Sequence, residues 1–281
     1  MNLSPLSAPE PWDHVADGYA DEAPWLVGPF SMRAAALARL DARTKVVDVA
    51  CGPGTTTLRI ASRVAHVSAL DFSAPMISRL RRDLEARGLR NVTAVAGDGQ
   101  ALPFPDVSFD VAFSMFGLMF FPDRARGFTE LWRVLRPGGT AVVSSWAPLA
   151  RSPLMQAMFG ALRAADPAMP EPRPDPSSLE NPEVFEREMR AAGFVDVAIH
   201  PHEEAIAVDD AEALWDRMVR SSAPLVMLRR KLGEATWATR AEVARAWLRE
   251  RIGPTPTALA TVAFLGVGRR PETDGYASLP K

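Results

Sequence analysis

Short apolar runs alternate with longer amphipathic stretches through the first half of the chain. The runs Lys45 to Val49, His66 to Leu70, Val92 to Val95, Val111 to Ser114 and Thr140 to Ser145 read as buried strands. Between them Thr55 to Ala65, Ala74 to Arg87 and Asp123 to Leu135 read as helices, the last stopped by Pro137-Gly138-Gly139. Strands that alternate with helices imply parallel strands, right-handed crossovers and helices on both faces: an α/β, doubly wound, mainly parallel sheet. After Trp146 the texture changes. Ser152 to Ala165 is a Met-rich helix candidate, and the proline-dense Pro167 to Pro176 cannot be regular structure. A helix over Pro182 to Ala192 stops at Gly193, and Val195 to Ile206 reads as a further strand. Asp209 to Arg251 is mostly helical, with stripes that include Trp215, Met218, Trp237 and Trp247, and Ala260 to Gly268 is the seventh strand. No internal repeat is present.

Composition narrows the class. With 281 residues, one elaborated domain is expected, and 32 Lys+Arg against 34 Asp+Glu leave a net charge of −2. That balance lacks the clustered cations of a general nucleic-acid binder, so no nucleic-acid partner is expected. The stretch Ile252 to Gly268 has no charge but is broken by Pro254 and Pro256, too short to span a bilayer. Met1 to Glu10 has neither a basic flank nor an apolar segment, so no secretory signal is expected and a cytoplasmic location is. A lone cysteine, Cys51, fits a reducing compartment and excludes a disulfide scaffold.

The chemistry gathers at strand ends. Val46-Val47-Asp48-Val49-Ala50-Cys51-Gly52-Pro53-Gly54-Thr55 is a strand entering a Gly-x-Gly turn and then a helix, which brings backbone close to a nucleotide-like ligand. A dinucleotide fingerprint needs a third glycine where Thr57 stands, which weakens an NAD reading without removing it. Asp71 ends the next strand and, as an acceptor-only group, is placed for a ribose diol. Gly97-Asp98-Gly99-Gln100-Ala101-Leu102-Pro103-Phe104 follows the third strand and Leu135-Arg136-Pro137-Gly138-Gly139 precedes the fifth. Neither belongs to a dehydrogenase pattern.

With these four motifs in order, the chain resembles a class I S-adenosylmethionine-dependent methyltransferase, similar to the ubiquinone/menaquinone-biosynthesis and small-molecule group, over about positions 12 to 146. The resemblance implies a seven-stranded Rossmann-like sheet with helical insertions forming a cap. It implies S-adenosylmethionine as cofactor, S-adenosylhomocysteine as product, and no metal. Gly52 and Gly54 would approach the methionine part, Asp71 the ribose and Asp98 the adenine, with Gly99 and Gln100 in the same loop. Phe72 and Met76 would flank the adenine, and the Ser114 carbonyl would meet the amino group. Trp12 to Tyr19 resembles an N-terminal helix closing over the cofactor, with Tyr19 as lid residue. Asp48 either reaches the amino group through water or bonds within the glycine turn.

The division expected is a lid over 1–30, a cofactor-binding core over 31–146, an insertion with a Pro-rich loop over 147–181, and a core helix and strand over 182–208. A helical cap over 209–256, a final strand over 257–270 and a tail over 271–281 complete it. The acceptor is expected to be a small, apolar or aromatic molecule, methylated on O, N or C, held by the inserted helices and by Met115 to Phe121, although that stretch reads equally well as ordinary core. Catalysis would come mainly from proximity and orientation. His14 is the one weak candidate for a catalytic base; His66 reads as structural, and His200 with His202 share a strand face but lack a third ligand for a metal. Arg229-Arg230-Lys231 is either an anion contact or a solvated face, and Cys51 reads as a small buried filler. A protein that retains the cofactor without methylating, or uses it in a rearrangement, is the alternative. An Asn/Asp-Pro-Pro-aromatic tetrapeptide of nucleic-acid amino-methylating enzymes is absent, since Ser114-Met115-Phe116-Gly117 stands in its place. The sequence leaves the oligomeric state open.

Overall fold

In the computed structural model, residues 4–173 and 175–272 are described. Of the expected tail, 273–281 lie outside them, as do Pro174 in the Pro-rich loop and the first three residues of the lid segment. Seven strands form one sheet: β1 (Lys45–Val49), β2 (His66–Asp71), β3 (Val92–Ala96), β4 (Phe109–Met115), β5 (Leu135–Trp146), β6 (Val195–Val208) and β7 (Thr257–Arg269), in the order β3-β2-β1-β4-β5-β7-β6. The strands β1 to β5 are parallel, and β7 runs antiparallel to both β5 and β6. The chain leaves β1 toward β2 and β3, then returns to β4 on the other side of β1. The crevice at that reversal, outside the carboxyl ends of the strands, is where such sheets bind ligands.

The period-two rule shows in the burial. Val46, Val142 and Leu265 face one layer, under α3 (Gly28–Ala38) and α5 (Ala74–Ala86). Their chain neighbours Val47, Val143 and Phe264 face the other, under α6 (Arg124–Val134) and α8 (Pro182–Ala191). Strands buried on both faces must be apolar throughout, which is why they were legible as runs.

Three elements depart from the sequence reading. Trp12 to Tyr19 is not one helix: α1 (Glu10–Asp13) ends, Val15 leaves helical geometry, and α2 (Ala16–Leu26) begins. The expected helix over Thr55 to Ala65 shrinks to α4 (Thr57–Ile60) and a 3₁₀ turn, Ala61–Arg63. Its first turn is a run of β-branched threonines, poor helix formers, and the Thr56 and Thr57 hydroxyls reach outward to Ser31 (2.9 Å) and Asp48 (2.6 Å) instead of capping. Finally, β6 and β7 extend beyond their expected ends because they pair with each other as far as Val208 opposite Thr257, so each supplies the other with ladder hydrogen bonds.

That extended ribbon leads into the cap. Here α7 (Pro153–Ala165), α9 (Ala211–Ser221), α10 (Ala223–Leu232) and α11 (Glu234–Arg249) bury one shared cluster that includes Leu154, Ala161, Trp215, Met218, Trp237 and Leu248. The two inserted segments therefore make one helical layer. Among the described residues no helix is long and apolar enough to cross a membrane.

Candidate active site

At the β1 end the backbone turns through three left-handed residues, Ala50 (φ 56°), Gly52 (φ 53°) and Gly54 (φ 91°). An alanine held in that region is strained, and such strain collects at ligand sites. The turn is tied to β2, with the Cys51 N–H donating to the Leu70 carbonyl (3.0 Å) and the Gly52 N–H to Asp71 Oδ2 (2.8 Å). A Cβ on Gly52 would find the Tyr19 ring at 3.8 Å and nothing nearer, so this glycine opens onto space. One on Gly54 would run into Leu80; Gly54 is glycine to let α5 approach.

The space is a partly enclosed cavity at the carboxyl ends of the strands. Of the residues singled out from sequence, Tyr19, Gly52, Asp71, Phe72, Met76, Asp98, Gly99 and Gln100 line it together. Asp48, Gly54 and Ser114 are not among its lining residues, nor is His14. His14 is exposed, 3.6 Å from Glu10. Asp71 is the buried charge of this cavity: Oδ1 accepts from the Ser73 N–H (2.9 Å) as Oδ2 does from Gly52. Burial pushes its carboxyl up to about 6, against the pull of those two N–H groups. Asp98, by contrast, is exposed, its Oδ1 accepting from the Gln100 backbone N–H (2.8 Å) and Nε2 (3.1 Å). Gln100 in turn accepts from the Asp123 N–H (2.9 Å).

Behind the turn, Thr57 occupies the third-glycine position and donates to Asp48, whose carboxyl burial pushes up to about 7. Burial likewise raises Cys51 and drives the Tyr19 hydroxyl up to about 12, with Asp71 contributing, so Tyr19 stays protonated at neutral pH. Ser114, at the end of β4, is wholly buried and its Oγ has no partner among the described residues.

A second cavity adjoins it, and Trp12, Tyr19, Phe116 and Phe120 line both. Phe116 holds φ at 57°, and its N–H donates to the buried Ser144 Oγ (2.8 Å). Its ring stacks on Trp146 (4.1 Å between centroids, 27°), and Phe30 stands edge-on to both. Trp12 meets Tyr19 and Phe120 (5.9 and 5.5 Å). The far side is cap: Met155 and Met158 of α7 and Met218 of α9. Sequence reading singled out Met115 to Phe121 for this role; it missed Trp146, Glu22 and Arg217, which also line the cavity. The methionines of α7 were the one available signal, since polarisable side chains recur at adaptable binding surfaces.

Other candidates fall elsewhere. His202 pairs with Glu204 (2.7 Å), His66 with Thr93 (3.2 Å), and Arg229 with Glu234 (2.9 Å). Among the described residues no group of three His, Cys, Asp or Glu is placed to hold a metal ion.

A family model described as a methyltransferase domain matches residues 46–139. The demethylmenaquinone methyltransferase of Thermus thermophilus is 42% identical over 118 residues, 41% of this chain and 53% of that protein. The one of Geobacillus stearothermophilus is 34% identical over 181 residues, 58% of this chain and 76% of that protein. The chain spans about half the length of the Thermus relative and of its Listeria welshimeri counterpart (45%). Among solved structures, the [4+2]-cyclase SpnF superposes with a TM-score of 0.62 at 20% identity, over 96% of this chain and 99% of that one. The YcgJ protein of Bacillus subtilis does so with 0.56 at 19%, over 86% and 98%. Those two show the fold alone. The glycine turn, the acid ending β2, the sheet order and the Geobacillus match converge: this chain belongs to the class I S-adenosylmethionine-dependent methyltransferase family, in the group of the demethylmenaquinone methyltransferases.

Proposed function

We propose that the chain binds S-adenosylmethionine in the first cavity and methylates O, N or C of a small, apolar or aromatic acceptor held in the second. The observation that carries this reading is the contact between the two cavities: Trp12, Tyr19, Phe116 and Phe120 line both, so ligands in the two would meet at these side chains. The residues fit the cofactor. Asp71 offers two oxygens whose positions are set by Gly52 and Ser73, so it can accept from both hydroxyls of a ribose without reorganising. Gly52 opens onto the cavity, where a Cβ would take space that the cofactor could use. Phe72, Met76, Asp98, Gly99 and Gln100 would hold the adenine end, with Tyr19 over the site. Bound there, S-adenosylmethionine supplies a methyl carbon whose bond electrons return to sulfur as an acceptor lone pair takes it.

The chain's own part is placement. Stacked aromatics cannot be compressed without loss of packing, so the shared side chains would limit how an acceptor can lie against the cofactor, and in-line approach at about 3 to 3.5 Å would account for most of the acceleration. An apolar chamber excludes water, which suits a reaction that disperses charge. No side chain is assigned as a base, and no metal takes part. The same reading places the lid at 1–30 and the cap at 209–256, the protein in the cytoplasm, and no nucleic acid among its partners. The cyclase named among the structural neighbours, at 20% identity, lends no support to a rearrangement.

Thermal shift tests the reading. At a concentration about 100 times Kd, S-adenosylhomocysteine and S-adenosylmethionine should each stabilise by about 2.7 kcal/mol, and NAD should not. A shift with NAD alone, or with none of the three, overturns it.

Acidity should also enter binding. A ribose held by Asp71 stabilises the ionised carboxylate, so the cofactor favours a form that is about one-tenth populated at pH 5, given a free-protein pKa of about 6. Affinity for S-adenosylhomocysteine is therefore expected to rise about tenfold from pH 5 to pH 7 and to level off above, and titration calorimetry at three pH values would show it. A flat profile would count against Asp71 as the ribose partner.

A further inference from the structure

The second cavity is not uniformly apolar. Glu22 of α2, 9% exposed, lies in its wall and is held by two arginines of α9. Arg217 Nη1 donates to Glu22 Oε2 (2.6 Å) and Arg220 Nε to Oε1 (2.8 Å). One carboxylate between two guanidinium groups leaves a net positive charge. Arg217 lines the cavity, whereas Arg220 does not. Arg217 engages Glu22 through Nη1, and no oxygen among the described residues accepts from its Nε or Nη2. Its planar guanidinium rests 4.9 Å over the Trp25 ring, which limits its freedom to turn away. The stacked Phe116–Trp146 pair lines the same cavity.

We infer that the acceptor is a planar aromatic molecule carrying an anionic group, with the ring system against the Phe116–Trp146 wall and the anion on Arg217; this rests on the second cavity being the acceptor site. A half-buried guanidinium with unclaimed donors prefers a carboxylate, sulfonate or phenolate, because charge-assisted hydrogen bonds replace the water it has lost. An extended aliphatic tail would not use the flat aromatic face, where offset stacking favours another ring.

Two fluorescent probes that differ by one sulfonate test this: 8-anilinonaphthalene-1-sulfonate and N-phenyl-1-naphthylamine. Each is titrated into the full chain with and without saturating S-adenosylhomocysteine, after the thermal shift with S-adenosylhomocysteine alone has been read. The sulfonate should bind one site per chain at least tenfold tighter than the neutral probe, and Met155→Trp, which fills the cavity, should abolish binding of both. Arg217→Met should erase the preference, Arg217→Lys should keep most of it, and Arg220→Met, which breaks the same ion pair from outside the cavity, should leave it intact. 1-Naphthoate should displace the sulfonate probe at concentrations where decanoate does not. Equal affinity for the two probes, a preference that survives Arg217→Met, or one lost equally in Arg220→Met overturns the proposal. Absence of a shift with S-adenosylhomocysteine, alongside a probe preference that depends on Arg217, would overturn the cofactor reading and leave the anion site standing.

Discussion

Asp71→Ala is expected to weaken S-adenosylhomocysteine binding by at least 100-fold at pH 7.5 and to abolish the affinity change between pH 5 and 7. Each hydrogen bond to an ionised carboxylate contributes about 1.5–3 kcal/mol, and the ribose would lose two. The alanine also leaves the Gly52 and Ser73 N–H groups without an acceptor, which costs about 1–3 kcal/mol for each buried donor. A lowered Tm therefore accompanies the lost affinity. Asp71→Asn separates the two effects, since its amide oxygen can still accept from one of those N–H groups while the charge is gone. Calorimetry on both variants, with circular dichroism to confirm folding, decides it. A folded Asp71→Asn protein that binds as tightly as the parent would remove Asp71 from the site.

Phe30→Ala should destabilise the fold by about 3–5 kcal/mol, a fall in Tm of about 10 °C for a chain this long. Phe30 is fully buried, edge-on to Phe116, Trp146 and the His202 ring (5.6, 5.7 and 5.7 Å). It stands behind the stacked pair that faces the second cavity. Its removal leaves a void there, because α3 is fastened to the sheet by Ala34 and Ala35 and cannot follow it inward. Acceptor affinity should then fall more than cofactor affinity, since of the two rings Phe30 supports, Phe116 lines both cavities but Trp146 only the second. Urea unfolding gives the stability, and a Tm change under 3 °C would mean that the site collapses freely.

How much of this was legible beforehand follows from how local each feature is. The strand from Val46 to Val49, its glycine turn, Asp71 and Asp98 could be read because each is a short run whose period or spacing survives any packing. The three-threonine helix begins two residues later than its sequence suggests, because Thr55 and Thr56 stay in the turn and the Thr56 hydroxyl bonds to Ser31 instead of capping, a contact only the fold shows. Gly54 and Gly52 look equivalent in sequence. Leu80 stands over one and open space over the other.

The first half of the chain, then, was determined in outline by the sequence itself: an α/β sheet with a nucleotide-type turn and an acid at the end of the second strand. Periodicity and spacing encode these because parallel strands buried on both faces need unbroken apolar runs. The second cavity was decided by tertiary structure alone. Glu22 and its arginines are almost 200 positions apart (195 for Arg217), and α7 meets α11 across one strand and three helices. No local pattern reports such contacts, since they arise when separate amphipathic helices bury their apolar faces against one another. Phe116 takes its left-handed turn for the same reason: a hydroxyl from β5, brought alongside β4 by the sheet, holds its N–H.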